Sequence, residues 1–496
     1  MVRQLTTKAQ VNGYRFLLRR QEHALVRRDV RMLHDPMRSE RTALFAGLLI
    51  ATLVLGGCGV YGLVRPQGNV GDATILLSKS SGAMYVRLDD RLHPVLNLAS
   101  ARLIVGTAAS PKSVGDSVLA RYPRGPLLGI PGAPSSLPTP SGGSSDWAVC
   151  DSDGGRGADV NVRTTTLIIG PPAPGSITAT RDAALLTASD GIYLVYQVPA
   201  GDRARPVRAR IDTASVPVRR ALGAENAVAR PASPGLLNSL PRMPDLVVPA
   251  VAGVGRASVL GADISVGSVV KTVDAAGRQS HFAVLSDGVQ RISSVVADIL
   301  VLGGWGGAAE VEGTVRAINP ATLVGVPVSD VLAVAHYPSV TPRLVDIAAA
   351  PVLCHEWHGG SDGSSYTRLR FATQVPTGAD QRVAVPVGAD GGGPGLDEVA
   401  VPPGQGLYIR LTGIEPDSPR RESRYLVSDN GIRYGVGGIE EGAMLGLGED
   451  ADLLAPWPML ALLTAGPALA RADALVAHAG MSPDTAAVPI SVEGPG

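Results

Sequence analysis

The stretch PVLCHEWHGGSDG, residues 351–363, gathers side chains that commonly do chemistry. Cys354, His355, Glu356 and His358 fall within five positions, and Gly359, Ser361 and Gly363 spell G-x-S-x-G. A thiol beside a histidine suggests a nucleophile. Histidines and a carboxylate suggest a zinc ligand set, and G-x-S-x-G suggests a hydrolase elbow. The spacing disfavours the last two. His355, Glu356 and His358 do not follow H-E-x-x-H, which sets two histidines one helical turn apart. The G-x-S-x-G lacks the helix that must follow a nucleophile elbow, and GGSDGSS reads as a flexible loop.

Phosphate chemistry fares no better. A P-loop needs G-x-x-x-x-G-K-[ST], so that backbone amides and a lysine surround the phosphates. The four lysines are Lys8, Lys79, Lys112 and Lys271; none follows a glycine, and GSVVKT (267–272) lacks the second loop glycine. Paired carboxylates such as Asp89/Asp90 and Glu440/Glu441 sit in polar or turn-like sequence and read as solvated surface. The residues therefore nominate no catalytic set, no cofactor site and no metal site.

The elements around Cys354 give it another role. ILLSKSSGAMYVRL (75–88), ALLTASDGIYLVYQ (184–197), HFAVLSDGVQRI (281–292) and RYLVSDNGIRYGV (424–436) share one form. Each is an apolar strand, a short polar turn ending in Gly82, Gly191, Gly288 or Gly431, and a second strand. Glycine suits such turns because it tolerates positive φ. LLNSLPRMPDL (236–246) matches MLALLTAGPAL (459–469) at a constant offset of 223, and VLARYP (118–123) resembles VLAVAHYP (331–338). These repetitions predict four small modules and a duplicated half. Cys150 lies 68 residues after Gly82, and Cys354 lies 66 after Gly288, so the two hold equivalent places. In an oxidising compartment such a pair is expected to bridge. Closing so long a loop contributes about 5 kcal/mol in the chain-entropy model.

The 496 residues suffice for several domains, and 60 Gly with 39 Pro against 4% aromatics favour short strands and turns. Net charge is zero overall but uneven. Residues 1–41 carry ten Lys/Arg and four Asp/Glu, while the remainder carries 34 and 40. Between them TALFAGLLIATLVLGGCGVYGLV (42–64) holds no charge in 23 positions, enough to cross a hydrocarbon core of roughly 30 Å. The basic side is expected in the cytoplasm, giving one crossing with the bulk of the chain outside. Gly56, Gly57, Gly59 and Gly62 offer a flat surface for helix packing. The competing lipoprotein reading, from LGGC (55–58), requires an n-region far longer than usual.

The preceding TTKAQVNGYRFLLRRQEHALVRRDVRMLHDP reads as an amphipathic helix capped by Thr6 or Thr7 and closed by Pro36. Val11, Tyr14, Leu18, Leu25 and Met32 recur near helical spacing, and Arg19, Arg20, Arg27, Arg28 and Arg31 form a basic face. Such a helix either rests on anionic lipid or docks a neighbouring membrane subunit. Nucleic acid is not indicated, because the rest of the chain supplies no basic surface.

The organisation expected is a cytoplasmic arm (1–41), a transmembrane helix (42–64) and a mostly β, α+β exported region with pseudo-twofold symmetry. In that region four modules (65–106, 181–250, 251–318, 401–480) surround a central β domain (107–180 and 319–400). YPRGPLLGIPGAPSSLPTPSGGSSDW (122–147) reads as an extended connection and GADGGGPG (388–395) as an exposed loop. LARADALVAHAG (469–480) reads as a helix, and 481–496 as a mobile tail.

The arm sequence, the single anchor followed by RPQG, GAMYVRLDDRLHPVLNLASARLIVG, RGPLLGIPGAP, DGVQRI, GIRYGV and RADALVAH together resemble the EccB family of type VII (ESX) secretion systems of mycobacteria and related actinobacteria. The resemblance runs from about residue 6 to 480. It implies a complex of sixfold symmetry with EccC, EccD and EccE in the inner membrane, with the MycP protease associated on the periplasmic side. It also implies four repeats around a central β domain with a disulfide, self-association of periplasmic domains, and contact with peptidoglycan as a secondary role. The family's ATPase label implies nucleotide hydrolysis, which no phosphate-binding loop in this sequence supports.

Overall fold

The computed structural model describes residues 7–31, 36–64, 70–138, 144–154, 163–175, 178–201, 203–303, 314–360, 362–416, 418–421, 423–448 and 453–480, with backbone only for 36–41 and 62–64. Thr6, Met32, the RPQG segment, Ser361 and the tail 481–496 lie outside the described residues. The chain divides into two compact units, 1–71 with 114–119, and 72–113 with 120–496.

The first unit holds two long helices. The first, α1, spans Lys8–Arg27. Thr7 accepts a hydrogen bond from the Gln10 amide while the Gln10 side chain accepts one from the Thr7 amide, a reciprocal cap that satisfies donors the helix itself leaves open. Arg28 closes the helix in the left-handed region, φ 56°, with its amide bonded to the Ala24 carbonyl. The expected closure at Pro36 is corrected: Pro36 opens α2, Pro36–Val64. A proline lacks the amide that a first helical turn leaves unpaired anyway, so it starts helices readily. Arg28 and Arg31 therefore lie beyond the α1 helix, and its basic face reduces to Arg19, Arg20 and Arg27. Within α2, Thr42–Tyr61 is long and apolar enough to cross a membrane. Thr52 returns its hydroxyl to the Leu48 and Leu49 carbonyls, so the one polar side chain in mid-helix needs no outside partner.

The second unit is mostly β. Its central sheet has six strands, in the order Ser365–Ala372, Val352–Gly359, Ser145–Asp153, Arg163–Ile169, Glu398–Val401 and Arg382–Ala384. The four hairpins of the sequence all form. Ile75–Ser78 pairs Met84–Leu88, Asp182–Ala188 pairs Gly191–Ala200, Gln279–Val284 pairs Val289–Ile292, and Arg424–Val427 pairs Ile432–Val436, all antiparallel. Their apolar faces do not form four separate cores. Ile75, Val86 and Leu103 share one core with Tyr408, Tyr434 and Leu469, while Leu194, Val207, Val269, Ile292 and Ile299 share another.

Two expectations on connecting segments are corrected. Leu127–Leu128, inside the supposed extended connection, joins the first hairpin's sheet, and the central strand already begins at Ser145. The supposed helix 469–480 shortens to Arg471–Ala474 and is followed by Ala477–His478. The reason lies at both ends. Leu469 bridges Val436 on one side, and Ala477–His478 pairs Leu127–Leu128 on the other, where His478 Nε2 hydrogen-bonds the Gly129 carbonyl oxygen. Backbone committed to two sheet edges cannot wind into helix.

Candidate functional site

The opening stretch is a buried strand of the central sheet, Val352–Gly359. Alternation along a strand sends successive side chains to opposite faces, so Cys354, Glu356 and His358 share one face and His355 and Trp357 the other. This separates the residues that looked like a cluster. Register then supplies their neighbours: Cys354 faces Cys150 and Arg370, Glu356 faces Ala148 and Arg368, and His358 faces Asp146 and Tyr366.

Cys150 and Cys354 are joined as a disulfide between adjacent central strands, with 4.0 Å between their Cα atoms. Ala148, Ile168, Val352 and Ala400 surround them in a small apolar core, and both cysteines are fully buried. The thiol that suggested a nucleophile is thus spent in a crosslink.

One pair of residues further along, the same face becomes ionic. Glu356 is fully buried and accepts hydrogen bonds from Arg368 and Arg370. His358 places Nδ1 2.8 Å from Asp146 Oδ1 and Nε2 3.4 Å from Glu356 Oε2, and stacks on Tyr366 at 4.6 Å. Both ring nitrogens face carboxylate acceptors, so both carry protons and the ring is an imidazolium. Burial alone lowers the His358 pKa, but the bonds to Asp146 and Glu356 outweigh it and raise the pKa above the ordinary value. Burial likewise works against ionisation of Glu356, yet His358 and the two arginines hold its carboxyl down to about 2. Asp146 is lowered in the same way, against burial, by His358 and Ser144.

The opposite face carries a neutral histidine. His355 is fully buried and its Nδ1 lies 3.0 Å from Ser239 Oγ. The Ser239 hydroxyl donates to the Leu236 carbonyl, so the shared proton belongs to Nδ1 of the imidazole. Burial pushes the His355 pKa down to about 3. Trp357 packs there against its cross-strand partner Trp147. Sequence reasoning found the cysteine pair but missed the cluster of Asp146, Glu356, His358, Arg368 and Arg370. The signal present was the period-two spacing of Glu356 and His358 in one strand and of Arg368 and Arg370 in the next.

The four turn glycines do not share one cause. Gly82, Gly191 and Gly431 have φ of 69°, 143° and 78°. Gly288 does not, which corrects the expectation that its turn requires positive φ. A Cβ there would sit 2.2 Å from the Pro327 carbonyl oxygen, so close approach of backbone is the requirement. The arm residues Tyr14, Leu18, Arg19, Arg20, Leu25 and Arg27 all lie exposed on α1, and Arg28 and Arg31 are exposed just after it.

Comparison with known proteins places this arrangement. The chain matches the family described as type VII secretion system ESX-1, transport TM domain B, over residues 3–483. It is 38% identical over 497 residues to the ESX-3 secretion system ATPase EccB3 of Mycolicibacterium smegmatis, covering 97% of this chain and 92% of that one. It is 37% identical over 485 residues to the ESX-5 secretion system ATPase EccB5 of Mycobacterium tuberculosis, covering 96% and 94%. Among solved structures, it is similar to a chain of an intact ESX-5 inner membrane complex, with TM-score 0.72, 34% identity and 99% of both chains covered. It is also similar to the EccB3 dimer from the ESX-3 core complex, with TM-score 0.69, 35% identity, 82% of this chain and all of that one. The chain belongs to the EccB family of type VII secretion systems.

Proposed function

We propose that the protein is a structural subunit of an ESX inner membrane complex, anchored by α2 and building the periplasmic vestibule of the export machine. The observation that carries this is the end-to-end likeness to a chain solved inside the ESX-5 inner membrane complex. In this reading α2 crosses the membrane once, 1–41 stays in the cytoplasm as a docking arm, and the second unit is periplasmic. A disulfide buried in the central sheet suits that oxidising compartment. The four hairpins form modules around a central domain of 107–180 and 319–400, with pseudo-twofold symmetry about the Cys150–Cys354 pair. Partners are EccC, EccD and EccE in a hexameric assembly, with MycP on the outer side and the periplasmic domains self-associating.

The role is assembly and gating rather than bond breaking. Lys79 lies in a hairpin turn, Lys112 and Lys271 lie in strands, and Lys8 follows Thr6-Thr7 rather than a glycine-rich loop. A phosphate cradle needs such a loop leading into a helix. Purification of tagged protein from membranes in mild detergent, followed by mass spectrometry, tests the reading. Co-elution of EccC, EccD and EccE in a megadalton assembly supports it. A lone protein that hydrolyses nucleotide, with hydrolysis lost in Lys271→Ala, overturns it.

A further inference from the structure

The arm helix has two sides, and the docking reading above does not say what each faces. At roughly 100° per residue, Val11, Tyr14, Leu18 and Leu25 fall within an arc of about 60°. Leu17 and Val26 flank that arc. Arg20 and Arg27 lie on the opposite side with Phe16 beside them, and Arg15 and Arg19 sit at the arc's border. Tyr14 is 66% and Leu25 82% exposed, so the described chain does not cover the apolar arc. Water is a poor final solvent for it. The helix is also tethered: residues 28–35 alone separate it from α2, whose Thr42–Tyr61 segment spans a membrane in this reading.

We infer that the apolar arc of α1 lies in the cytoplasmic leaflet of the membrane its own anchor crosses, with Arg15 and Arg19 at its border engaging anionic headgroups. Three observations converge on a lipid surface rather than a protein groove. A hydrocarbon boundary is within reach of a short tether. The apolar residues are large and include a tyrosine, which suits an interface with one wet and one dry side. The surplus charge of the arm is positive, which complements an anionic leaflet. Arg20 and Arg27 are then left facing the cytoplasm, so the docking side of the arm is its basic side. The inference rests on the cytoplasmic placement of residues 1–41.

The test uses the full chain carrying Cys58→Ala, which leaves Cys150 and Cys354 bridged and no other thiol. A polarity-sensitive fluorophore is placed through Leu18→Cys or, on the opposite side, Arg20→Cys. Each is reconstituted in nanodiscs of phosphatidylcholine alone or with added phosphatidylglycerol. In the anionic discs, the probe at 18 should be blue-shifted, several-fold less quenched by iodide than the probe at 20, and quenched by lipids brominated on their acyl chains. Raising salt or removing phosphatidylglycerol should weaken the difference. Equal iodide access at both positions in anionic discs overturns the inference. So does protection at 18 without quenching by brominated lipid, which would mean protein covers the arc. Nanodiscs expose both leaflets, so this result is independent of orientation. Labelling of Arg20→Cys in intact cells by an impermeant thiol reagent would instead overturn the cytoplasmic placement on which the inference rests.

Discussion

His355 and His358 sit three residues apart on one strand, yet their burial and partners hold them in opposite charge states. His358 is raised, because its bonds to Asp146 and Glu356 outweigh burial. A raised pKa contributes stability that is complete below the unfolded value, about 6.5, and is lost as pH rises through the folded value. His355 is lowered to about 3 by burial. Below about 6.5 the unfolded chain takes a proton there that the folded chain refuses, so stability falls as pH falls, by about 1.4 kcal/mol per pH unit. The two effects together predict a stability maximum at about pH 6.5. Denaturant titration of the full chain in detergent across mildly acidic and alkaline pH checks this. His355→Asn should flatten the acid limb and His358→Gln the alkaline one. An acid limb unchanged in His355→Asn would mean that other groups set it. The disulfide gives the second prediction at this scale. Replacing both Cys150 and Cys354 by Ala should cost about 3–5 kcal/mol, read as a lower denaturant midpoint, because the crosslink closes a loop of 204 residues. An unchanged midpoint would show that other contacts already restrain the unfolded chain.

Among the elements, the hairpin turns separate two reasons for glycine that look alike in sequence. Gly82 is held at φ 69° with open space around its Cβ direction, so Gly82→Asn should be tolerated within a few tenths of a kcal/mol and Gly82→Ala should cost about 1 kcal/mol. Gly288 has ordinary φ but faces the Pro327 carbonyl, so Gly288→Ala and Gly288→Asn should both cost about 1–3 kcal/mol. Thermal unfolding of the four variants checks the contrast, and tolerance of Gly288→Asn would refute the crowding argument. The same turns show what sequence alone makes legible. Period-two apolar strands beside Ser-Gly, Asp-Gly and Asn-Gly mark hairpins because both signals are local. The uncharged run 42–64 is local too, and the matched placement of Cys150 and Cys354 is legible because the two local hairpins serve as its landmarks. Pro327 against Gly288 is a contact across 39 positions, and nothing near Gly288 announces it. Arg368 and Arg370 against Glu356 are missed for a related reason: the pairing depends on strand register, which is fixed by the sheet as a whole. The 469–480 segment fails differently. Its composition favours helix, and the two sheet edges it must reach override that preference.

For the whole molecule, the consequence lies in how the hairpins share cores. The first hairpin buries Ile75 and Val86 against residues more than 300 positions away, Tyr408, Tyr434 and Leu469, and its sheet is continued by Ala477–His478. The second hairpin buries one face, with Leu185 and Leu194, against the third, and its other face, with Leu186 and Tyr193, against Val427 of the fourth and the central sheet. A module that folded by itself would respond only to substitutions within it. Here the first should fail with the fourth, while the second is tied to both the third and the fourth. Leu469 is fully buried in the shared core, so Leu469→Ala should cost about 2–5 kcal/mol through lost burial and the cavity left behind. Hydrogen exchange read by mass spectrometry locates that loss. Amides of the Ile75–Ser78 and Met84–Leu88 strands should exchange faster, although Leu469 is remote from them in sequence, while those of Val269–Val273 and Gln279–Val284 should keep their protection. Faster exchange confined to residues near 469 would mean the modules are independent. Faster exchange everywhere would mean the second unit unfolds as one cooperative block, with no softer part to move.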